Sequence, residues 1–414
     1  MLGTNLDKHP ARLSVLRNKK WMGKKFFRGG DGGIQKQSNG LFTDGIVRSL
    51  EVPNAARLAN LIANLKPTDA LCLGVHNADS NTVRASTRSK SARIQDSGFQ
   101  CIARTKDHFS FHDGEGWLLI DFDDKDLPLP IKDRIHMDGG IYKVLQWLWP
   151  ELERGDFVIK PSSSAGVHLP DTEPAAASGF HMFVRIKDAR AIPQTLQALH
   201  ARCWDTGFGY HLISKSGQQL DRSLIDVSVG SPERLIFTAD PMLSDGILRT
   251  PPPVVQQDGA ALCTLQLPVR SEWSRLRDID RQRSSAQALR VRAKFMDQQA
   301  ERHVREFGGT LSHARSVVAS RVQGRVLKDA DVLDTVSAGM QSVGSILDTM
   351  AQGKILACAD PIEGRSYNPT AAAILWQSNH KFPVLISHAH GLKTVYQFER
   401  FLSGDQRHGY TKSA

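Results

Sequence analysis

Between Gly116 and Val229 the chain alternates apolar runs of strand length with amphipathic stretches of helix length, and few folds accept that order. Residues 117–122 (WLLIDF) read as a strand. Residues 140–148 read as a helix stopped by Pro150, residues 157–160 and 180–186 as two further strands, residues 193–204 as a helix with Leu196, Leu199 and Cys203 on one side, and residues 224–229 as a fourth strand. The succession βαββαβ is the split unit of ferredoxin-like and RNA-recognition (RRM-like) domains. In that unit the first strand lies centrally, flanked by the third and the fourth. The fold class expected is therefore α+β, an antiparallel RRM-like sheet.

The flanking segments are read in the same way. Pro53 opens a helix with Leu58, Leu61, Ile62 and Leu65 at helical spacing, residues 70–75 form a strand, and the polar stretch 77–95 is a long loop. A possible fifth strand covers 234–238, and residues 250–259 (TPPPVVQQDG) suit a linker. Residues 270–305 are helical in composition, with ten Lys or Arg against five acids, and a further helical stretch, 330–350, leads to a short β-rich end at 383–398. The expected organisation is a basic N-terminal segment (1–40), a catalytic domain (41–245, RRM-like core 113–245) into which an N-terminal α/β segment packs, a linker (246–265), a basic helical segment (266–310) and a C-terminal accessory domain (311–414).

Charge narrows the class of partner. A net charge of +10 over 414 residues favours polyanions, because basic surfaces release counterions from nucleic acid. Residues 1–28 hold Lys8, Arg12, Arg17, Lys19, Lys20, Lys24, Lys25 and Arg28 against Asp7, interleaved with Trp21, Phe26 and Phe27. Cations with aromatic faces suit a single-strand groove, and a flexible basic tail would look the same. The five cysteines are far apart, so neither a zinc pair nor a disulfide framework is read from them, and no apolar run approaches a membrane span. A reducing cytoplasm is expected.

The chemistry is concentrated in three places. In LLIDFDDKD, Asp121 and Asp123 share one face of the first strand while Phe122 points to the other. Crowded carboxylates raise one another's pKa unless a cation sits among them. In LIDVSV, Asp226 lies between apolar neighbours on the strand expected beside Asp121, so three carboxylates converge. Hard oxygen ligands suit magnesium or manganese, and two such ions can activate an attacking oxygen and steady a leaving pyrophosphate. In SGFHMFVRI, His181 lies on the other neighbour of the acid-bearing strand, within reach of a phosphate or sugar. Lys160 and Ser162, Ser163 and Ser164 of KPSSSAG suit a phosphate-binding nest, and Arg234 of SPERLIF is another phosphate ligand.

These three ordered motifs on this topology resemble the archaeo-eukaryotic primase superfamily, in wording closest to primases of plasmids, phages and integrating elements. The resemblance covers roughly residues 110–245. It implies that Asp121, Asp123 and Asp226 are metal ligands and His181 a nucleotide contact. Two features depart from the family pattern. Sixteen residues part Ser164 from His181, which makes His168 a rival for the histidine role, and the clustered cysteines of zinc-bearing relatives are missing. Residues 391–394 (GLKT) lack the spacing of a phosphate-cradling loop, so unwinding would fall to a separate helicase or initiator. The ending SHAHGLKTVY is similar to tails of mobile-element replication proteins; its His388 and His390 are weak candidates for metal ligation.

The expected function is a DNA primase-like nucleotidyltransferase that uses nucleoside triphosphates, two Mg2+ or Mn2+ ions and no zinc to make primers on single-stranded DNA. The alternatives are a non-catalytic DNA-binding replication initiator and a metal-dependent nuclease.

Overall fold

The computed structural model describes residues 9–402 apart from 97, 245, 366, 377–381 and 390–392. Lys8, at the start of the basic segment, and His390 lie outside the described residues. The chain is α+β. Residues up to Leu212 together with Leu220–Arg283 form one compact unit, and Ile213–Gln219 with the chain from Ser284 onward form a second. Among the described residues no helix is long and apolar enough to cross a membrane.

A nine-stranded sheet organises the first unit. Its path runs Val255–Gln257, Phe157–Pro161, Gly179–Ile186, Gly116–Asp123, Arg12–Asn18, Asp44–Glu51, Thr82–Ser86, Cys101–Ala103, with Asp69–Cys72 also paired to Arg12–Asn18. The acid-bearing strand Gly116–Asp123 is antiparallel to Gly179–Ile186 along its whole length, Asp121 facing His181 in register. Trp117, Leu118, Leu119 and Ile120 are buried on both faces. That burial explains why the segment reads as a continuous apolar run rather than an alternating one. Each such Leu or Ile contributes about 1.5–3 kcal/mol, and the Trp117 indole Nε1 donates to the Val52 carbonyl at 2.8 Å. Helices Leu129–Met137, Ile141–Leu148 and Ile192–Asp205 supply Ile131, Ile135, Val144, Leu145, Leu196 and Leu199 to the same core.

Several expectations are corrected here. Residues 224–229 do not form a fourth strand: a 3-10 turn, Val227–Gly230, begins immediately after Asp226. The Asp226 carboxylate accepts the Ser228 N–H at 2.9 Å, a local bond that competes with extended pairing. Nor does the N-terminal segment stand apart as a tail. Arg12–Asn18 is a central strand, and Gly23–Arg28 and Ile34–Asn39 form a hairpin. The 77–95 region is not loop but strand Thr82–Ser86 followed by helix Arg88–Asp96. Residues 234–238 make a single bridge, Leu71 with Ile236, rather than a strand. Within the expected linker, Val255–Gln257 adds to the sheet edge beside Phe157–Ile159.

The basic segment is one helix, Arg270–Phe307, and the boundary between the units falls within it. The second unit holds a seven-stranded sheet built from Val326–Leu327, Thr394–Phe398, Val384–Ser387, Ala372–Leu375, Ile355–Cys358, Val332–Thr335 and Gly339–Ser342. Of the helix expected over 330–350, only Val343–Thr349 is helical; β-branched Val332 and Thr335 lie instead in a strand paired with Gly339–Ser342. Leu333, Ile346, Ile374, Leu385, Tyr396 and Phe398 are buried in this unit's core.

Candidate functional site

The sheet is split where the site lies. Gly116–Asp123 pairs in parallel with Arg12–Asn18 only at Arg12 and Gly116, because residues 14–17 are taken by Asp69–Cys72. Beyond Gly116 the acid-bearing strand therefore lacks a ladder partner on that side among the described residues. The segment before the 3-10 turn enters this gap, and the Asp226 N–H donates to the Asp121 carbonyl at 3.3 Å. The acid expected on a fourth strand is thus brought beside Asp121 by one backbone bond.

The electrostatics of Asp121 record the crowding. Burial first, then Asp226 and Asp123, push its carboxyl up to about 6, with Arg234 and Lys24 pulling the other way. Its oxygen lies 3.5 Å from His181 Nε2. Burial, then Lys24 and Lys160, hold the imidazole down at about 4, so His181 is neutral at physiological pH and serves as a hydrogen-bonding group rather than a cation. Arg234 reaches Asp226 at 3.8 Å.

A cavity of about 310 Å³ opens here. Of the expected residues, Asp121, His181, Ser162, Ser163 and Arg234 line it. Ser164 stands behind, bonded to Ser162 at 3.2 Å. Lys160 is buried and spends its ammonium on Asp240 at 2.8 Å. Asp123 and Asp226 flank the cavity as the charged neighbours of Asp121. His168 is set apart from it: its ring bonds the Leu169 carbonyl at 2.8 Å and Thr250 Oγ1 at 3.2 Å, on a short ladder with Leu248–Arg249. Gly166, at the start of that ladder, has φ +74°, and a Cβ there would meet the Thr250 carbonyl oxygen at 2.1 Å.

Sequence reasoning missed three contributors. Lys24, on the basic hairpin, points to the carboxylates and bonds Ser164 Oγ at 3.5 Å. Burial and Lys36 lower its pKa, while Asp123 and Asp121 raise it. Asn39 on the hairpin's second strand and Phe237 complete the wall. Lys24 and Phe26 share one face of strand Gly23–Arg28, and the surface which that face meets is supplied by distant parts of the chain. Two other basic residues of this segment are paired with acids, Arg17 with Asp69 at 2.7 Å and Lys19 with Asp44 at 2.7 Å.

The oxygen donors Asp121, Asp123 and Asp226 have the chemistry that magnesium or manganese prefers, and the raised pKa of Asp121 marks a repulsion that a divalent cation relieves. Among the described residues no set of three His, Cys, Asp or Glu side chains is gathered tightly enough to hold a metal ion. All five cysteines are free, Cys72, Cys101, Cys203 and Cys358 being buried. On the outer side of the 3-10 turn, Lys106, Phe111, Arg190, Val227 and Ser228 line an open groove. Comparison with protein-family models, with curated proteins and with solved structures finds no match to this chain.

Proposed function

We propose that the chain is a template-directed nucleotidyltransferase of the archaeo-eukaryotic primase type, making primers on single-stranded DNA for replication of a mobile element. The observation that carries this reading is the meeting, beside one cavity, of Asp121 with an in-register His181 on one side and a backbone-bonded Asp226 on the other. Three strands in the spatial order second–third–first support an RRM-like core, with the turn at Asp226 in place of its fourth strand.

In the reaction a 3′-hydroxyl oxygen attacks the α-phosphorus of a nucleoside triphosphate, an O–P bond forms and pyrophosphate leaves. Asp121, Asp123 and Asp226, drawn closer together than they stand here, would hold divalent ions, whose chemistry would be to lower the pKa of that hydroxyl and neutralise the leaving group. Neutral His181 offers a hydrogen bond to a phosphate oxygen or sugar hydroxyl, as do Ser162 and Ser163. Lys24 and Arg234 set positive charge against the triphosphate, and Phe237 offers an apolar wall to the sugar or base. The groove sets Lys106 beside the Phe111 ring, the combination that single-stranded nucleic acid takes, while Arg190 on its wall is paired with Asp113 and Asp188. Strand separation is left to a partner helicase or initiator.

The test is an extension assay with single-stranded template, labelled nucleotides and magnesium or manganese, the products sized on a gel. Template-dependent products are expected from the wild type, lost on chelation and lost in Asp121→Ala and Asp226→Ala with circular dichroism unchanged. Synthesis retained in either variant overturns the reading; template cleavage without incorporation replaces it with a nuclease.

A further inference from the structure

The second unit holds a cavity of about 430 Å³ that the nucleotidyl-transfer reading does not use. Its walls come from the helix Arg270–Phe307, which supplies Arg302, from the turn after helix Leu311–Ala319, which supplies Arg321, and from the strand Val332–Thr335. The segment 359–365 (ADPIEGR) closes it and brings Arg365. Three guanidinium groups from separate elements thus share one space with the apolar side chains of Val332, Leu333, Met340 and Ile362.

The acceptors around this cavity are already spent. Asp360 accepts the Ile362 and Glu363 N–H groups at 2.8 Å each and the Ser387 hydroxyl. Through this last bond the SHAHG segment acts structurally, since Ser387 fixes the turn that forms the cavity wall. Asp334 is held through both oxygens by Arg365, at 2.5 and 2.6 Å. Arg321 is different. It is only 8% exposed; one of its terminal nitrogens bonds Asp331 at 3.0 Å, and its Nε has no acceptor among the described residues. A buried N–H without a partner costs about 1–3 kcal/mol, so its presence in a cavity wall marks a place where an acceptor belongs. The residue sits on a π-helical turn, Ser320–Gly324, that ends at Arg325 with φ 51°. Guanidinium forks match phosphate oxygens, and the volume lies in the range of small-molecule sites.

We propose that this cavity is a second binding site, for a nucleoside phosphate: the phosphates meet Arg321 and Arg302, and the base lies against Met340 and Leu333. The proposal is independent of the chemistry at Asp121.

The experiment is photolabelling of the full chain with 8-azido-ATP, with labelled peptides mapped by mass spectrometry. Label is expected within 332–340 or 361–365, reduced at least tenfold by excess pyrophosphate, by Arg302→Glu and by the exposed, cavity-filling Met340→Trp. Label confined to peptides of the first unit overturns the proposal, as does labelling unchanged in both variants. Displacement by citrate as effective as by pyrophosphate overturns the assignment to phosphate.

Discussion

Asp121→Asn tests the electrostatics of the site without any assumption about substrate. Burial, Asp226 and Asp123 raise the Asp121 carboxyl from an ordinary 3.8 to about 6. A rise of that size corresponds to about 3 kcal/mol for a shielded group. The side chain is 35% exposed, and solvent screening reduces the figure to about 1–2 kcal/mol. Because the folded pKa lies above the unfolded one, folding is favoured while the group is protonated. That contribution is complete below about pH 4 and is lost as pH rises through 6, so above pH 6 ionised Asp121 opposes folding. Asparagine keeps the shape and stays neutral. In calorimetric melts of the full chain, the variant's first-unit transition should lie about 2–6 °C above the wild type at pH 8, with the gap closing by pH 4. His181, with its pKa near 4, stays neutral over most of this range in both proteins. Magnesium should raise the wild-type transition at pH 8 and leave the variant's nearly unmoved. A variant that melts at or below the wild type at pH 8, or a gap independent of pH, would refute the crowding of charge inferred for this site.

Three other outcomes are expected. His181→Ala should lower primer synthesis at least tenfold while His168→Ala keeps it, because His168 is engaged with Leu169 and Thr250; the reverse order in the extension assay would reassign the histidine. Lys106→Glu should weaken single-stranded DNA binding and flatten its log–log salt dependence by about 0.7, the loss of one phosphate contact, in anisotropy titrations; an unchanged slope would move the template elsewhere. Gly45→Ala should cost about 1–3 kcal/mol in denaturant titrations, since its Cβ would meet the Arg17 carbonyl oxygen at 1.9 Å; a loss under about 0.5 kcal/mol would mean the two strands part freely.

What the sequence made legible was whatever depends on local period. The run before Asp121, the alternation around His181 and the helix after Pro53 each carry their pattern within a few residues, and each forms the expected element. Asp226 illustrates the limit. Its apolar neighbours suggested a strand, but its own carboxylate bonds two residues on and curls the chain, a contest between local and ladder bonding that hydropathy does not register. Lys24 illustrates another. Its charge was plain, while its position beside Asp121 depends on a hairpin folding against residues about a hundred positions away. The long polar stretch 77–95 hid a strand because only Val83, Ala85 and Ser86 in Thr82–Ser86 are buried.

The insertion of Arg12–Asn18 at the middle of the large sheet has a consequence for biosynthesis. The ribosome delivers this strand before its neighbours, and Asp44–Glu51 and Asp69–Cys72 can zip onto it early, whereas Gly116–Asp123 arrives only after a further forty residues have been made. Residues 14–17 of the opening strand are then paired on both sides, and the edge left waiting is that of Gly116–Asp123, whose ladder partner Gly179–Ile186 is made later still. A nascent chain paused between Asp123 and Gly179 would expose Leu118 and Ile120 to any β-rich neighbour, and loss of the opening strand, which seats the first half of the sheet, should surface first as poor yield of folded protein, ahead of any defect in chemistry.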